Sequence, residues 1–419
     1  LEVIKIKSKQ LQINKEFFIM CIYMLLLIIA GFFFSFDEGL FTDLSKIFQV
    51  PGVLITDFFV IGSLGAALVN AGLVGLTGLI ITLISKVPVR GPIIAAIFTM
   101  AGFSFMGKNI INIWPIFLGV WLYSRVKKER FSNYLLNALF GTALAPLASS
   151  VSIGLGLGTW GGLVFGIVGG FLVPPLASHL LGTHQGMNLY NIGFTAGFIG
   201  TLFAGLFRGF GADKELVVIW GEGFNEQVTI PLILYFISMI LLGLFENNGN
   251  LKSFFEIHEI SGALVSDFIS EKGTGATFIN MGIVGLIGTS YVLIIGGELN
   301  GPSITGILTI VGFGSFGKHT KNIIPIMIGA FLSLQFFHWA PTEPGPILGV
   351  LFGTTLAPIT GSFGNLAGLI AGFLHMSMVM NVGFLHGGLN LYNNGFAGGL
   401  VATLMIGVLK NLQFDEQGG

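Results

Sequence analysis

The chain has 419 residues, 53% of them hydrophobic and only 9% charged, with a net charge of −1. An ordinary soluble domain carries roughly 25% charged residues, so a water-exposed globule is excluded and the bilayer is the expected environment. The scattered basic residues give no footprint for nucleic acid, and the single cysteine, Cys21, excludes an internal disulfide or a cysteine metal cluster.

In chain order, a segment with Lys5, Lys7, Lys9 and Lys15 (1–16) precedes an apolar run from Phe17 to Phe36. That run has the roughly 20 residues of a span and lacks a small-residue cleavage site, so it is predicted to be a first spanning helix rather than a signal peptide. Further apolar segments follow at 62–85, 91–106, 109–124, 134–156, 160–182 and 186–208. A polar linker, 209–227, leads to a second series at 229–246, 275–296, 301–316, 322–338, 346–360, 362–383 and 386–409, and a tail, 411–419, ends the chain.

The two series are copies. AGFSFMGKNIINIWPIFLG (101–119) and VGFGSFGKHTKNIIPIMIG (311–329) agree at 9 of 19 positions. FGTALAPL (140–147) and FGTTLAPI (352–359) agree at 6 of 8, and GMNLYNIGFTAGFI (186–199) and GLNLYNNGFAGGLV (388–401) at 8 of 14. Leu, Ile and Gly match by chance between apolar segments, but shared Lys, Asn, Tyr and Pro in register do not. The membrane repeats are therefore 17–208 and 228–410.

An odd number of segments per copy makes the second copy enter from the opposite face, and replacing two short neighbours by a re-entrant hairpin leaves that parity unchanged. Loop charge tests this, because cytoplasmic loops carry the Lys and Arg excess. With the N-terminus inside, 15 of the 19 basic residues fall on the cytoplasmic side, and only Lys46, Lys108, Arg208 and Lys214 fall outside. The loops Lys86–Arg90 and Arg125–Arg130 correspond in the second copy to GGELN and HWAPTEPG, which carry Glu298 and Glu343 and no basic residue. The predicted fold is all-α and polytopic, with two inverted-topology repeats and broken or re-entrant helices.

Three sets of polar residues stand out. Short, Gly- or Pro-interrupted segments at matching positions of inverted repeats point to a solute path at their interface. Such a break is predicted at Lys108 and Asn109, matched by Lys318 and His319, where free helix-end amides could face a solute. A tight extramembrane turn with a snorkelling lysine is the competing reading. The second set is His184, Asn188, Tyr190 and Asn191, paired with His386, Asn390, Tyr392 and Asn393. These donors and acceptors suit a pathway for a neutral or weakly charged solute, or else bond packed helices together. The third is Asp57 and Asp267 with Asn70 and Asn280, an ion-coupling set or a pair of interfacial helix caps.

The repeated GKN…N…P and NLYN-x-GF segments resemble domain-of-unknown-function family 1576, bacterial two-repeat membrane proteins. That likeness implies a bacterial inner-membrane location, with both termini cytoplasmic by the charge rule. NLYNIGFTAGFIGTLFAGLF (188–207) is distantly similar to the Gly-Phe-Asn-rich helix start of urea transporters, which implies inverted halves around a pore. GKNIINIWP (107–115) resembles a segment of the membrane subunits of sodium-pumping and Rnf-type oxidoreductases. TGAT at Thr274–Thr277 is similar to the motif on which those subunits carry flavin, which implies a redox subunit as a third reading.

Enzyme signatures such as GxSxG, a phosphate loop or HExxH are missing from the sequence. The expected function is therefore a channel or facilitator for a small polar solute, with a proton- or sodium-coupled transporter as the alternative. No enzymatic activity, cofactor or metal is expected. The partners are the bilayer and the solute, and the Gly-rich faces could equally serve a homo-oligomer.

Overall fold

The computed structural model describes residues 14–35, 39–212 and 217–417, with side chains as far as 411. Lys5, Lys7, Lys9, Lys214 and residues 1–13 and 418–419 lie outside the described residues, and the predicted tail is helical as far as Gln417. Fourteen principal helices follow, seven per repeat. The first copy gives α1 (Lys15–Phe34), α2 (Leu64–Ile84), α3 (Gly91–Gly102) and α4 (Trp114–Val126). It continues with α5 (Phe131–Gly154), a chain of short helical pieces, then α6 (Gly158–His184) and α7 (Asn191–Gly209).

The second copy repeats the order. It has α8 (Asn225–Glu246), α9 (Phe268–Ile294), α10 (Gly301–Phe313) and α11 (Thr320–Ser333). α12 (Pro344–Phe363), α13 (Asn365–Val382) and α14 (Asn393–Gln417) complete it. The protein is a polytopic helical membrane protein. Strand-like pairing among the described residues amounts to the isolated bridges Thr56–Ile219 and Asp57–Met106.

Burial follows what the bilayer asks. On α1, Met20, Tyr23, Met24, Leu27 and Gly31 face inward, while Phe18, Ile22, Leu25, Ile29 and Phe33 are exposed. The exposed stripe is as apolar as the buried one, which suits a helix flanked by protein and lipid tails. Contacts between neighbours run through glycine. A Cβ on Gly119 of α4 would stand 2.1 Å from Ile167 O of α6, and one on Gly329 of α11 would stand 2.0 Å from Leu369 O of α13. Backbones approach closely because no side chain intervenes.

Among the described residues nine helices are long and apolar enough to cross a membrane, and α3, α10 and α11 are shorter. α3 runs antiparallel to α2, with Gly75 against Ala101 and Gly78 against Ile97. α4 then returns to the starting face, where Ser85, Ser124, Arg125 and Lys128 border one depression. In the second copy Gly297, before α10, lies against Ile347 of α12, so α10 and α11 also leave and return on one face. The helices are short because each stops at a buried break, around Gly107 and around Gly317. Pro92 and Pro302 stand in the first turns of α3 and α10, where proline lacks no needed N–H.

The inversion is visible where equivalent helices meet. α3 and α10 lie side by side and antiparallel. Gly91 at the start of α3 touches Ser315 and Phe316 past the end of α10, while Gly301 touches Phe105 past the end of α3. At the other side of the seam Tyr23 of α1 stacks edge-on with Tyr235 of α8, ring centroids 5.2 Å apart.

Candidate functional site

The breaks after α3 and α10 are built alike. Lys108 N donates to Phe103 O at 3.1 Å and Lys318 N to Phe313 O at 3.0 Å, closing matched turns. Gly107 adopts φ +93°, a left-handed conformation that favours glycine. Asn112 Nδ2 donates to Gly107 O and Asn322 Nδ2 to Gly317 O, both at 2.9 Å. The predicted Asn70 and Asn280 act from the neighbouring helix. Asn70 Nδ2 donates to Ser104 O (2.8 Å) and Lys108 O (2.9 Å), and Asn280 Nδ2 donates to Gly314 O (2.7 Å) and Lys318 O (2.8 Å). A helix that ends inside a bilayer leaves carbonyls without partners, and these amides bond them.

The lysines do not snorkel. Lys108 and Lys318 each have 0% relative exposure. Lys108 Nζ donates to the Tyr392 hydroxyl and lies 4.6 Å from the Tyr392 ring centroid and 5.4 Å from that of Phe103. Lys318 Nζ donates to the Tyr190 hydroxyl and to Thr354 Oγ1 at 2.6 Å. It lies 4.5 Å from the Tyr190 ring and 5.3 Å from the Phe313 ring. Each lysine thus meets the tyrosine of the other repeat.

Between these cages the stretches 186–194 and 388–396, which carry most of the second predicted set, converge. α7 and α14 cross near their first turns, where Gly193 packs on Tyr392 and Gly395 and no Cβ would fit at either glycine. A cavity of about 160 Å³ is bordered by Phe103, Phe140, Tyr190, Phe313, Phe352 and Tyr392, by Thr99 and Thr309, and by Asn191, Ile192, Gly193, Asn394 and Gly395 at the two helix starts. The rings interlock across the seam, Phe103 with Phe352 at 5.4 Å and Phe140 with Phe313 at 5.6 Å between centroids. The cavity reaches Leu264 and Val265, and Val265 is 90% exposed.

A second cavity, about 270 Å³, lies among Pro51, Gly52, Ser150, Arg208, Gly387 and Leu389 on the opposite face. Leu391, which borders the first cavity, packs on Gly107, as does Gly52, which borders the second.

The remaining predicted pathway residues brace this arrangement. His184 Nδ1 accepts from Asn188 N at 3.3 Å, so its Nε2 carries the proton and donates to Asn191 Oδ1 at 2.9 Å. His386 Nε2 pairs with Asn393 Oδ1 at the same 2.9 Å. Asn188 Nδ2 donates to Gly395 O (3.1 Å) and Asn390 Nδ2 to Gly193 O (3.2 Å), tying the repeats together. Of the eight, Tyr190, Asn191 and Tyr392 border the cavity. Asn109 shapes its turn, accepting at Oδ1 from Ile111 N and Asn112 N at 3.0 and 2.9 Å, and His319 Nε2 pairs with Ile260 O at 2.9 Å.

Asp57 and Asp267 also work across the seam, at helix starts. Asp57 accepts from Phe59 N (2.9 Å) and Gly221 N (3.0 Å), and its carboxylate also bonds the Gly301 amide at the start of α10. Asp267 accepts from Gly91 N at 3.1 Å, at the start of α3, and from Ser270 N at 3.3 Å. Carboxylates are favoured at helix N-termini by the free amides there.

Sequence reading missed Phe103, Phe140, Phe313, Phe352 and Thr354. All lie in the matched stretches, Phe103 and Phe313 at offset 210 and the others at offset 212, so pairing by repeat was the available signal.

No curated protein and no solved structure matches this chain. One family model, described as a protein of unknown function (DUF1576), matches twice, over residues 36–209 and 246–411. The two matches fall on the two repeats, and the chain belongs to the DUF1576 family.

Proposed function

We propose that this protein carries a small polar solute across the membrane through the cavity at the seam of its two repeats, as a channel or facilitator. The convergence of the starts of α7 and α14 on that cavity, between the two breaks, carries the reading. Non-helical backbone at membrane depth is tolerated where it is buried in protein or borders a cavity, and inverted repeats hold their solute sites at the repeat interface. The basic face, with Lys86, Arg90, Arg125 and Lys128, is the cytoplasmic one by the charge rule, in a bacterial inner membrane.

Swelling and uptake by proteoliposomes test the proposal. Asn191→Ala, which removes a cavity-bordering amide, lowers flux by about tenfold while the protein still elutes as a folded species. Unchanged flux in that variant would remove Asn191 from the path. A coupled transporter is the second reading, favoured by two cavities on opposite faces with the packing on Gly107 between them. Uptake that collapses with a protonophore or without sodium selects it over the channel.

A further inference from the structure

We infer that the solute is a small, singly charged anion, held between the Lys108 and Lys318 cages. The inference rests on the transport reading and names its substrate class.

Charge is the first ground. Both ammonium groups are fully buried, and no carboxylate among the described residues is bonded to either. The ion pairs found, Lys15–Glu246, Lys46–Asp43 and Lys272–Glu256, lie elsewhere. Asp57 and Asp267, the carboxylates at the seam, are bonded to backbone amides at helix starts. A buried charge without a counter-ion is costly, and an anion entering the cavity, whose border includes the Tyr190 and Tyr392 that the lysines bond, would offset that cost for both.

Donors are the second ground. A lysine offers three N–H groups. Lys108 bonds one side chain, Tyr392, and Lys318 bonds two, Tyr190 and Thr354. The other neighbours of each are ring faces, which attract the cation but accept no strong hydrogen bond.

Placement is the third ground. The first turns of α7 and α14 both border the cavity, and first-turn amides lack intrahelical partners and carry partial positive charge. A cation would meet like charge from both lysines and both helix starts. The aromatic border and the small volume disfavour a strongly hydrated dianion, which would surrender more hydration than the cages replace.

The test is swelling of proteoliposomes holding the full chain, in isosmotic potassium nitrate, potassium formate, potassium sulfate, glycerol or urea. Valinomycin carries the potassium, so the anion limits the rate. Swelling in nitrate and formate well above protein-free vesicles, slow swelling in sulfate, and a fall of about tenfold or more in K108M/K318M are expected.

Swelling in glycerol or urea without swelling in nitrate or formate overturns the anion inference and leaves the path intact. Equal rates for anions and neutral solutes overturn it too. Swelling in none of the five overturns the transport reading and the inference with it. If the double variant fails to insert, the wild-type ranking of nitrate and formate against sulfate and glycerol decides. If it inserts and swells at the wild-type rate in nitrate, the lysines do not hold the anion.

Discussion

The two breaks share their inner parts and differ in their outer ones. At both, a lysine meets the tyrosine and phenylalanine of the cavity, and an asparagine from a neighbouring helix bonds the freed carbonyls. Outside the cage they part. Asn70 Oδ1 accepts from Ile110 N at 3.3 Å, whereas Asn280 Oδ1 is buried without a partner. Asn109 bends its own turn and donates to Ile47 O at 3.4 Å, whereas His319 pairs with Ile260 O and meets His258 edge-on at 5.2 Å between centroids. What touches the cavity is held in common by both copies, while what faces outward fits one face each.

That comparison can be broken in three places. The largest effect is expected from Asn70→Ala against Asn280→Ala. Each truncation strands two buried carbonyls, and Asn70→Ala also strands the Ile110 amide, at about 1 kcal/mol or more for each lost partner. Thermal unfolding in detergent should show Asn70→Ala as the more damaging. Equal midpoints would mean the third bond contributes nothing.

A smaller difference separates the caps. Asp57 is fully buried, Asp267 half-buried, and losing a cap costs about 0.5–2 kcal/mol. Asp57→Ala should sit at the upper end and Asp267→Ala at the lower. The reverse order in the same melts would mean that burial does not set the strength of these caps.

The smallest effect concerns pH. His258, between α8 and α9 and beside the second break, has no histidine counterpart in the first copy, where Phe48 stands. Burial lowers its pKa from the ordinary 6.5. The folded form therefore binds its proton less readily than the unfolded chain, and this contribution to stability is lost as pH falls below 6.5 toward the folded value. His258 is partly exposed, so the effect is small. His258→Phe should flatten the melting midpoint between pH 7 and about pH 5 relative to wild type, and an unchanged slope would assign the dependence to other groups.

Much of the architecture could be read from the chain. Shared Lys108 and Lys318, at fixed spacing from Pro115 and Pro325, exposed the duplication, and the bare loops around Glu298 and Glu343 exposed the inversion. The hairpins were harder. A crossing pair and a dip both return the chain to the same face, so Arg90 and Arg125 fall together either way, and no loop charge tells the two apart.

The site was half legible. Tyr190 and Tyr392 were singled out for their register, but nothing local says that Lys108 pairs with a residue 284 positions away. His184 and Asn188 drew attention as polar groups at membrane depth. What sequence does not reveal is that the loop backbone around them needed those bonds itself. The cavity's phenylalanines were hidden among the chain's 41.

The swapped pairing of lysine and tyrosine makes each repeat depend on the other. A single unit made alone would hold a buried ammonium and a phenol that its own chain never brings together, and a carboxylate whose helix end belongs to someone else. Only a neighbour inserted head-down supplies the complements. Co-expressed halves severed within 209–224 should therefore reassemble only when their membrane orientations oppose.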